Sequence, residues 1–252
     1  LLPGTANLDF FMKRKIIREL AALPADYVLM DLGAGSSYNV VDFFLTSSTG
    51  ILATVPEITS ILNAYSFLKT ALFRALFRSF PPRGPERRAI TEFVAQKIEG
   101  TGESFRTLAD RLVAEFPESA PAAGAQLGTL YPRVVLNMGR SSRDLAVGAR
   151  LRDIVTRNLG IGIEYIGFAP RDEAVPRSVI ERRPVLLARP DSPYAATVRA
   201  IARRIVETPV PAAPRLYQDN EDLAAVAEEG LAAAETAKGI EEEADPFTDT
   251  AS

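Results

Sequence analysis

A short stretch near the start of the sequence joins one carboxylate to two glycines. Residues 27–30 are apolar, Asp31 follows them, and Gly33 and Gly35 come shortly after. A carboxylate at a strand end can hold Mg²⁺ directly or through water, because Mg²⁺ prefers oxygen ligands. Glycines let backbone N–H groups approach a phosphate without a Cβ in the way. The pattern predicts a site for Mg²⁺ and phosphate, and a capping Asp with a tight turn before a helix is the alternative.

The composition limits which other side chains could do chemistry. The 252 residues include no Cys and no His. Disulfides, thiolate metal sites, Cys nucleophiles, Ser-His-Asp triads and His-bound zinc are therefore excluded for this sequence. Any reaction must use carboxylates, Lys or Arg, hydroxyls, backbone amides or a bound metal. The lack of Cys fits the cytoplasm, which is the location we expect.

Charge divides the chain into a basic part and an acidic part. From Gln218 to Ser252 there are eleven Asp and Glu and one Lys, a net charge of −10, whereas residues 1–217 carry a net charge of +7. The last part is also rich in Pro, Ala and Glu, a composition typical of disorder. We therefore predict one domain over 1–207 and a disordered acidic tail over 208–252, with at most one weak helix near 220–237.

Short apolar segments alternate with amphipathic ones along the first part of the chain. Strands are predicted at 27–32, 50–56, 131–137 and 161–170. Helices are predicted at 8–23, 38–46, 58–80, 86–99, 104–116, 143–159, 173–182 and 193–206, with a loop at 117–128. This alternation predicts an α/β fold: a partial Rossmann-like, mostly parallel sheet with helices on both faces.

Polar or conformationally special residues follow each of the four predicted strands. Ligands of open parallel sheets bind outside the carboxyl ends of the strands. We therefore expect one cluster at that edge of the sheet. Its predicted members are Asp31, Gly35, Glu57, Asn137 and Asp172.

Several ordered motifs together resemble a known family. The run D-x-G-A-G-x-S-x-N-x-x-D-F-F-L begins at Asp31, and a strand ending T-x-P-E and the residues T-S-I that open a helix come next. VVLN (134–137) and GFAPRDEAVPRSVIERRPV (167–185) follow in the same order. Over roughly 5–206 the sequence resembles the MinD/ParA group of P-loop ATPases. It is most similar to the MinD-like branch related to FlhG/FleN, the flagellar-number regulators.

The resemblance implies a role for each motif residue. Asp31 resembles the Walker B aspartate that acts on Mg²⁺ through water, and Gly35 resembles the glycine whose N–H meets the γ-phosphate. Gly33 would let the backbone face the phosphate, and Pro56 and Glu57 would lie beside the nucleotide. The remaining nucleotide contacts would come from Asn137, which would read adenine, and from Pro170 and Asp172, which would border the base and ribose.

Two of these positions have plainer interpretations as well. Asn137 is also the kind of residue that forms a turn at a strand end. Asp42, in the same motif as Asp31, is expected to cap a helix or pair locally and not to catalyse.

The resemblance also implies an activity and its partners. The complete protein would bind ATP and Mg²⁺, cycle between an ATP-bound homodimer and an ADP monomer, and position a flagellum or a division site. A further, unknown protein partner is expected, and nucleic acid is not. The alternative is a non-catalytic interaction module that binds a partner through its basic surface and acidic tail and keeps a vestigial nucleotide pocket.

One large departure separates the sequence from the family. The loop G-x-x-x-x-G-K-[ST], which cradles the phosphates, occurs nowhere in the 252 residues. We expect the chain to be the C-terminal portion of a longer protein, or else a degenerate homologue without nucleotide. In either case this chain alone should hydrolyse no ATP.

The predicted helix at 58–80 carries Lys69, Arg74 and Arg78 among Phe and Leu residues. Such a pattern suits contact with a membrane surface. We expect the plainer interpretation, in which the helix covers a sheet and turns its basic residues to water.

Overall fold

The computed structural model describes residues 8–98, 105–208 and 219–244. The chain forms two compact units that interleave in sequence. The first contains residues 1–50, 65–130 and 158–160, and the second contains residues 51–64, 131–157 and 161–252.

The first unit is helical over its described residues. Its helices are α1 (Phe10–Ala21), α2 (Tyr38–Phe44), most of α3 (Ile58–Ser79), α4 (Pro85–Ile98), α5 (Phe105–Glu115) and α6 (Ala120–Leu127). Leu68, Leu72 and Leu76 recur at four-residue spacing on α3 and are buried. The rings of Phe73 and Phe105 meet edge to face with centroids 5.1 Å apart. This apolar stripe is what makes α3 a packed helix.

The second unit contains a three-stranded parallel sheet in the order β1-β2-β3. The strands are β1 (Ile51–Thr54), β2 (Arg133–Gly139) and β3 (Glu164–Pro170). The helices are α7 (Leu145–Leu159, all but its last two residues), α8 (Ala174–Ile180), α9 (Val185–Ala188), α10 (Pro193–Glu207) and α11 (Glu221–Ala244), and a 3₁₀ turn at Ser142–Asp144 precedes α7. Val134, Leu136 and Phe168 are fully buried. The predicted α/β fold with a parallel sheet is confirmed.

The strand predicted at 27–32 is wrong. Residues 27–33 form no regular secondary structure. Tyr27 is 55% exposed and Leu29 is 89% exposed. The sheet of the described residues contains β1, β2 and β3 and does not include this segment. Its apolar sequence favours a strand, but a strand also needs a neighbour to satisfy its backbone groups.

The loop predicted at 117–128 is also wrong, because α6 lies there. Pro121 and Gly124 suggested a loop. Proline is tolerated in the first helical turn, where its missing N–H would have no partner, and Pro121 is the second residue of α6. Ala120, Ala123 and Leu127 are buried on one face. Burial of that face outweighs the weak propensity of the glycine.

A helix lies where the sequence allowed a weak one near 220–237 in the acidic tail. It is α11 (Glu221–Ala244), whose Leu223, Val226 and Ala227 are buried. A Cβ on Gly230 would lie 2.1 Å from the Phe168 carbonyl oxygen, so the helix packs tightly on β3. The rest of the predicted tail that falls in 209–218 and 245–252 lies outside the described residues.

Two smaller features complete the fold. The helix predicted at 173–182 ends at Ile180, and Arg182 follows with a left-handed φ of 53° before α9 begins. Within the described ranges, none of the helices has the length and apolar composition needed to cross a lipid bilayer.

Candidate functional site

The loop after residue 30 carries the first group of predicted site residues. Asp31 is exposed, and within the described part of the chain its side chain has no hydrogen bond or ion pair. A Cβ added at Gly33 or Gly35 would meet no atom within 4 Å, and Gly35 has a φ of +104°. Only glycine adopts that conformation readily. Among the described residues, the loop therefore offers a carboxylate without a partner next to open backbone.

Helix α2 begins directly after this loop. Ser37 caps it, because its hydroxyl oxygen accepts a hydrogen bond from the Val40 N–H at 3.4 Å. The helix is only seven residues long, so its dipole is small. A ligand at the loop would consequently depend on the loop backbone and Asp31 more than on the helix end.

Asp42 fixes α2 to the rest of the first unit. Its carboxylate accepts a hydrogen bond from Lys13 Nζ at 2.6 Å and from Arg74 Nε and Nη2 at 2.7 and 2.9 Å. Arg78 Nη1 lies 3.3 Å away. Burial would raise the pKa of the Asp42 carboxyl, but the hydrogen bonds from Arg74 and Lys13 outweigh it, and the pKa lies below its ordinary value.

The ion pairs of Asp42 correct the prediction of its local pairing and bear on the two interpretations of α3. Asp42 pairs with residues from α1 and α3, which are 29 to 36 positions away, and not locally as expected. No sequence signal identifies those partners. Arg74 and Arg78 bond to Asp42, which favours the interpretation of α3 as a packed helix over that of a membrane-facing one.

The second unit holds the other predicted site residues, beginning with Pro56 and Glu57 after β1. The Glu57 N–H donates to the Val55 carbonyl at 2.7 Å, and the Glu57 carbonyl accepts from the Ile61 N–H at 2.9 Å. These bonds turn the chain from β1 into α3. The Glu57 side chain is exposed beside the amino end of that helix.

Asn137 lies inside β2 and not at its end, because the strand continues to Gly139. The register between β2 and β3 shifts between Leu136 and Gly139, and Met138 has a left-handed φ of 60°. Asn137 Oδ1 accepts a hydrogen bond from the Met138 N–H at 2.9 Å. The Asn side chain thus supports a bulge, and its Nδ2 has no partner within the described residues. An amide in this position can donate to a ligand.

Asp172 follows β3, and its carboxylate accepts hydrogen bonds from backbone N–H groups at the amino ends of two helices. Its Oδ1 accepts from the Ala174 N–H at 2.8 Å, at the beginning of α8. Its Oδ2 accepts from the Tyr194 N–H at 3.0 Å, at the beginning of α10. Pro170, the last residue of β3, is buried. Because both carboxylate oxygens are engaged by backbone, the geometry favours a positioning role for Asp172.

The parallel topology brings four of the predicted residues to one edge. Glu57, Asn137, Pro170 and Asp172 lie at or near the carboxyl ends of β1, β2 and β3. Asp31, Gly33 and Gly35 belong to the other compact unit. That they join this edge stays a prediction.

Sequence reasoning missed a buried network at the amino end of β3. Arg152 on α7 donates to both oxygens of Asp222 at 2.5 and 2.6 Å, and the Tyr165 N–H donates to Asp222 Oδ2 at 2.7 Å. Burial raises the pKa of the Tyr165 phenol, and its O–H donates to the Gly148 carbonyl at 2.7 Å. This network anchors α11 to the sheet. An isolated Asp in an acidic tail gave no sign of it.

The residues present fit part of a magnesium–nucleotide site. Over the described ranges, no three acidic side chains come together as a metal-binding group. Mg²⁺ often keeps several waters and takes only one or two carboxylates together with phosphate oxygens. Asp31 and the open glycine backbone match that donor set, whereas a phosphate-cradling lysine loop is not found in the sequence.

The fold is that of an α/β protein with a three-stranded parallel sheet, and four of the predicted site residues lie at or near the carboxyl ends of its strands. No protein-family model matches the chain. Its sequence is similar to the antiactivator FleN of Pseudomonas aeruginosa, with 33% identity over 84 residues. The match covers 33% of this chain and 30% of FleN, so it spans less than a third of that relative. The similarity gives weak support to a FlhG/FleN-like relationship.

Proposed function

We propose that this chain carries part of an ATP and Mg²⁺ site of the MinD/FleN type. The complete protein would couple ATP hydrolysis to homodimerisation in the cytoplasm. It would thereby position a cellular structure such as a flagellum or a division site. The similarity to FleN and the order of the strand-end motifs support this assignment.

The observation that carries the proposal is the loop from Asp31 to Gly35. It combines an exposed carboxylate that no described residue pairs with and a glycine held at φ +104° in open space. A carboxylate that is not needed for packing, next to backbone that no side chain covers, is free to serve a ligand. Asp31 would hold Mg²⁺ through water, and the N–H of Gly35 would face a phosphate.

The strand ends of the second unit would hold the base. Asn137 Nδ2 is available to donate, and its Oδ1 can accept a second hydrogen bond besides that of the Met138 N–H. Bound Mg²⁺ would neutralise charge on the phosphate oxygens. The chain alone should show no ATP turnover, because it contains no G-x-x-x-x-G-K-[ST] loop.

The test is the affinity for a fluorescent ATP analogue with and without Mg²⁺. It is measured on the chain alone and on the chain co-expressed with a family segment that bears the missing loop. We expect Mg²⁺-dependent binding that strengthens with the added segment. Asp31→Asn should weaken it by at least about tenfold, as loss of a group that orders metal-bound water does.

Asp110→Asn is the matched control, since Asp110 is an exposed carboxylate on α5 with no partner in the described ranges. Its affinity should equal that of the unchanged chain. Equal binding by the Asp31 and Asp110 variants, or no binding in the co-expressed pair, would contradict the proposal. The interaction-module alternative would then be preferred.

A further inference from the structure

The corner between α8 and α9 exposes apolar side chains that the nucleotide proposal does not use. Val179 is 71% exposed, Ile180 is 83% exposed and Leu187 is 69% exposed. Single exposed apolar residues need no explanation, but neighbouring ones mark a candidate interaction site.

The corner has a defined shape. Arg182 takes a left-handed φ of 53°, which turns the chain sharply after α8. Arg189 donates to both carboxylate oxygens of Glu181, at 2.8 and 3.3 Å, and so ties the end of α9 to the end of α8. Ser178 and Val185 are buried and fix the base of the corner. Val179, Ile180 and Leu187 therefore lie exposed on the two sides of a supported turn.

Arginines flank these apolar side chains in the sequence. Arg177, Arg182 and Arg183 are exposed, and within the described part of the chain none of them has a hydrogen bond or ion pair through its side chain. Arg189 is neutralised by Glu181. The corner thus combines exposed apolar side chains with three arginines that no described residue pairs, and its complement is an apolar layer beneath negative charge.

We propose that the α8–α9 corner inserts into an anionic lipid surface. Val179, Ile180 and Leu187 would enter the boundary between headgroups and acyl chains, and the arginines would contact lipid phosphates. Highly exposed apolar side chains beside unpaired arginines suit a lipid layer, which offers apolar chains beneath anionic headgroups. A second copy would bring like charges together, and the phosphates of nucleic acid would leave the apolar tips in water.

Vesicle flotation of the full chain tests this inference. We expect binding to vesicles of equal phosphatidylglycerol and phosphatidylcholine, and little binding to phosphatidylcholine alone. The Arg182→Gln/Arg183→Gln variant should lower the partition coefficient roughly 30-fold, since each basic residue near an anionic surface contributes about fivefold. The Ile180→Ser/Leu187→Ser variant should lower it by about tenfold or more.

The matched control is Arg106→Gln/Val113→Ser on α5, which removes one exposed arginine and one exposed apolar side chain elsewhere. It should bind as the unchanged chain does, and all variants should keep the same melting temperature because the altered side chains are exposed. Failure to bind anionic vesicles, or equal loss in the control, would overturn the proposal. So would binding to duplex DNA that the Arg pair weakens, with no vesicle binding.

Discussion

Residues 27–32 and strand β2 have similar apolar sequences, but only β2 forms a strand. YVLM at 27–30 is exposed and forms no strand, whereas RVVL at 133–136 forms the middle of the sheet. Leu29 is 89% exposed and Leu136 is fully buried. β2 has a parallel neighbour on each side, and the first segment has none among the described strands. Apolar sequence supplies a preference for burial, but backbone partners decide whether a strand forms.

The largest expected effect comes from truncating one leucine in each segment. Leu136→Ala should lower the free energy of unfolding by about 3–4 kcal/mol, because it leaves a cavity in a closed core. Leu29→Ala should change it by less than about 0.5 kcal/mol, as exposed substitutions do. Urea unfolding followed by far-UV circular dichroism measures both. Equal losses of unfolding free energy in the two variants would mean that residues 27–30 are buried in solution. The two segments would then not differ in burial.

A second substitution, Asp42→Asn, tests whether ion pairs hold α2, the helix that follows the exposed segment 27–32. Asp42→Asn removes the negative charge that Lys13, Arg74 and Arg78 share. We expect a loss of about 3 kcal/mol in unfolding free energy, because three cations are left without their counter-charge. Thermal melts against the Asp110→Asn variant measure it. Melts that coincide would show that α2 is held by apolar packing alone.

Substitution of Gly230 and Gly33 compares a glycine packed against strand β3 with a glycine in open space. Gly230→Ala places a methyl group 2.1 Å from the Phe168 carbonyl oxygen and should destabilise by about 2 kcal/mol, despite the better helix propensity of Ala. Gly33→Ala meets nothing within 4 Å and should leave stability unchanged within about 0.5 kcal/mol. A chemical denaturation midpoint for each variant is sufficient. A stable Gly230→Ala protein would show that α11 can move away from β3.

The smallest effect is a pH dependence in the first unit. The folded pKa of Asp42 lies below its ordinary value of 3.8. Its contribution is therefore present above about pH 4 and is lost as the pH falls through the lower folded value. The difference in unfolding free energy between the unchanged chain and Asp42→Asn, measured from pH 7 down to pH 3, should shrink below pH 4. A constant difference would contradict the assigned cause.

The sequence predicted the three strands of the sheet, because each is a short apolar segment in an alternation of predicted strands and helices. β1 falls within the predicted 50–56 and β3 falls within the predicted 161–170. β2 begins and ends two residues after the predicted bounds of 131–137. Parallel strands then bring Glu57, Asn137 and Asp172 to one edge, whereas the placement of Asp31 and Gly35 at that edge stays a prediction.

The remaining features depend on contacts that local pattern does not contain. The partners of Asp42 come from helices far along the chain. The buried stripe of Leu223, Val226 and Ala227 is hidden in an acidic composition. The bulge at Met138 follows from the register of β2 against β3, and no residue type announces it.

The interleaving of the two units has a consequence for synthesis. β1 pairs with β2, yet Thr54 and Arg133 are separated by about 80 residues that include all of α3 to α6. At about 5–20 residues per second, β1 leaves the ribosome roughly 4–16 s before its partner is made. During that interval its backbone is unpaired, and the helices of the first unit have time to form. A nascent chain paused after residue 130 should therefore contain folded helices and no sheet.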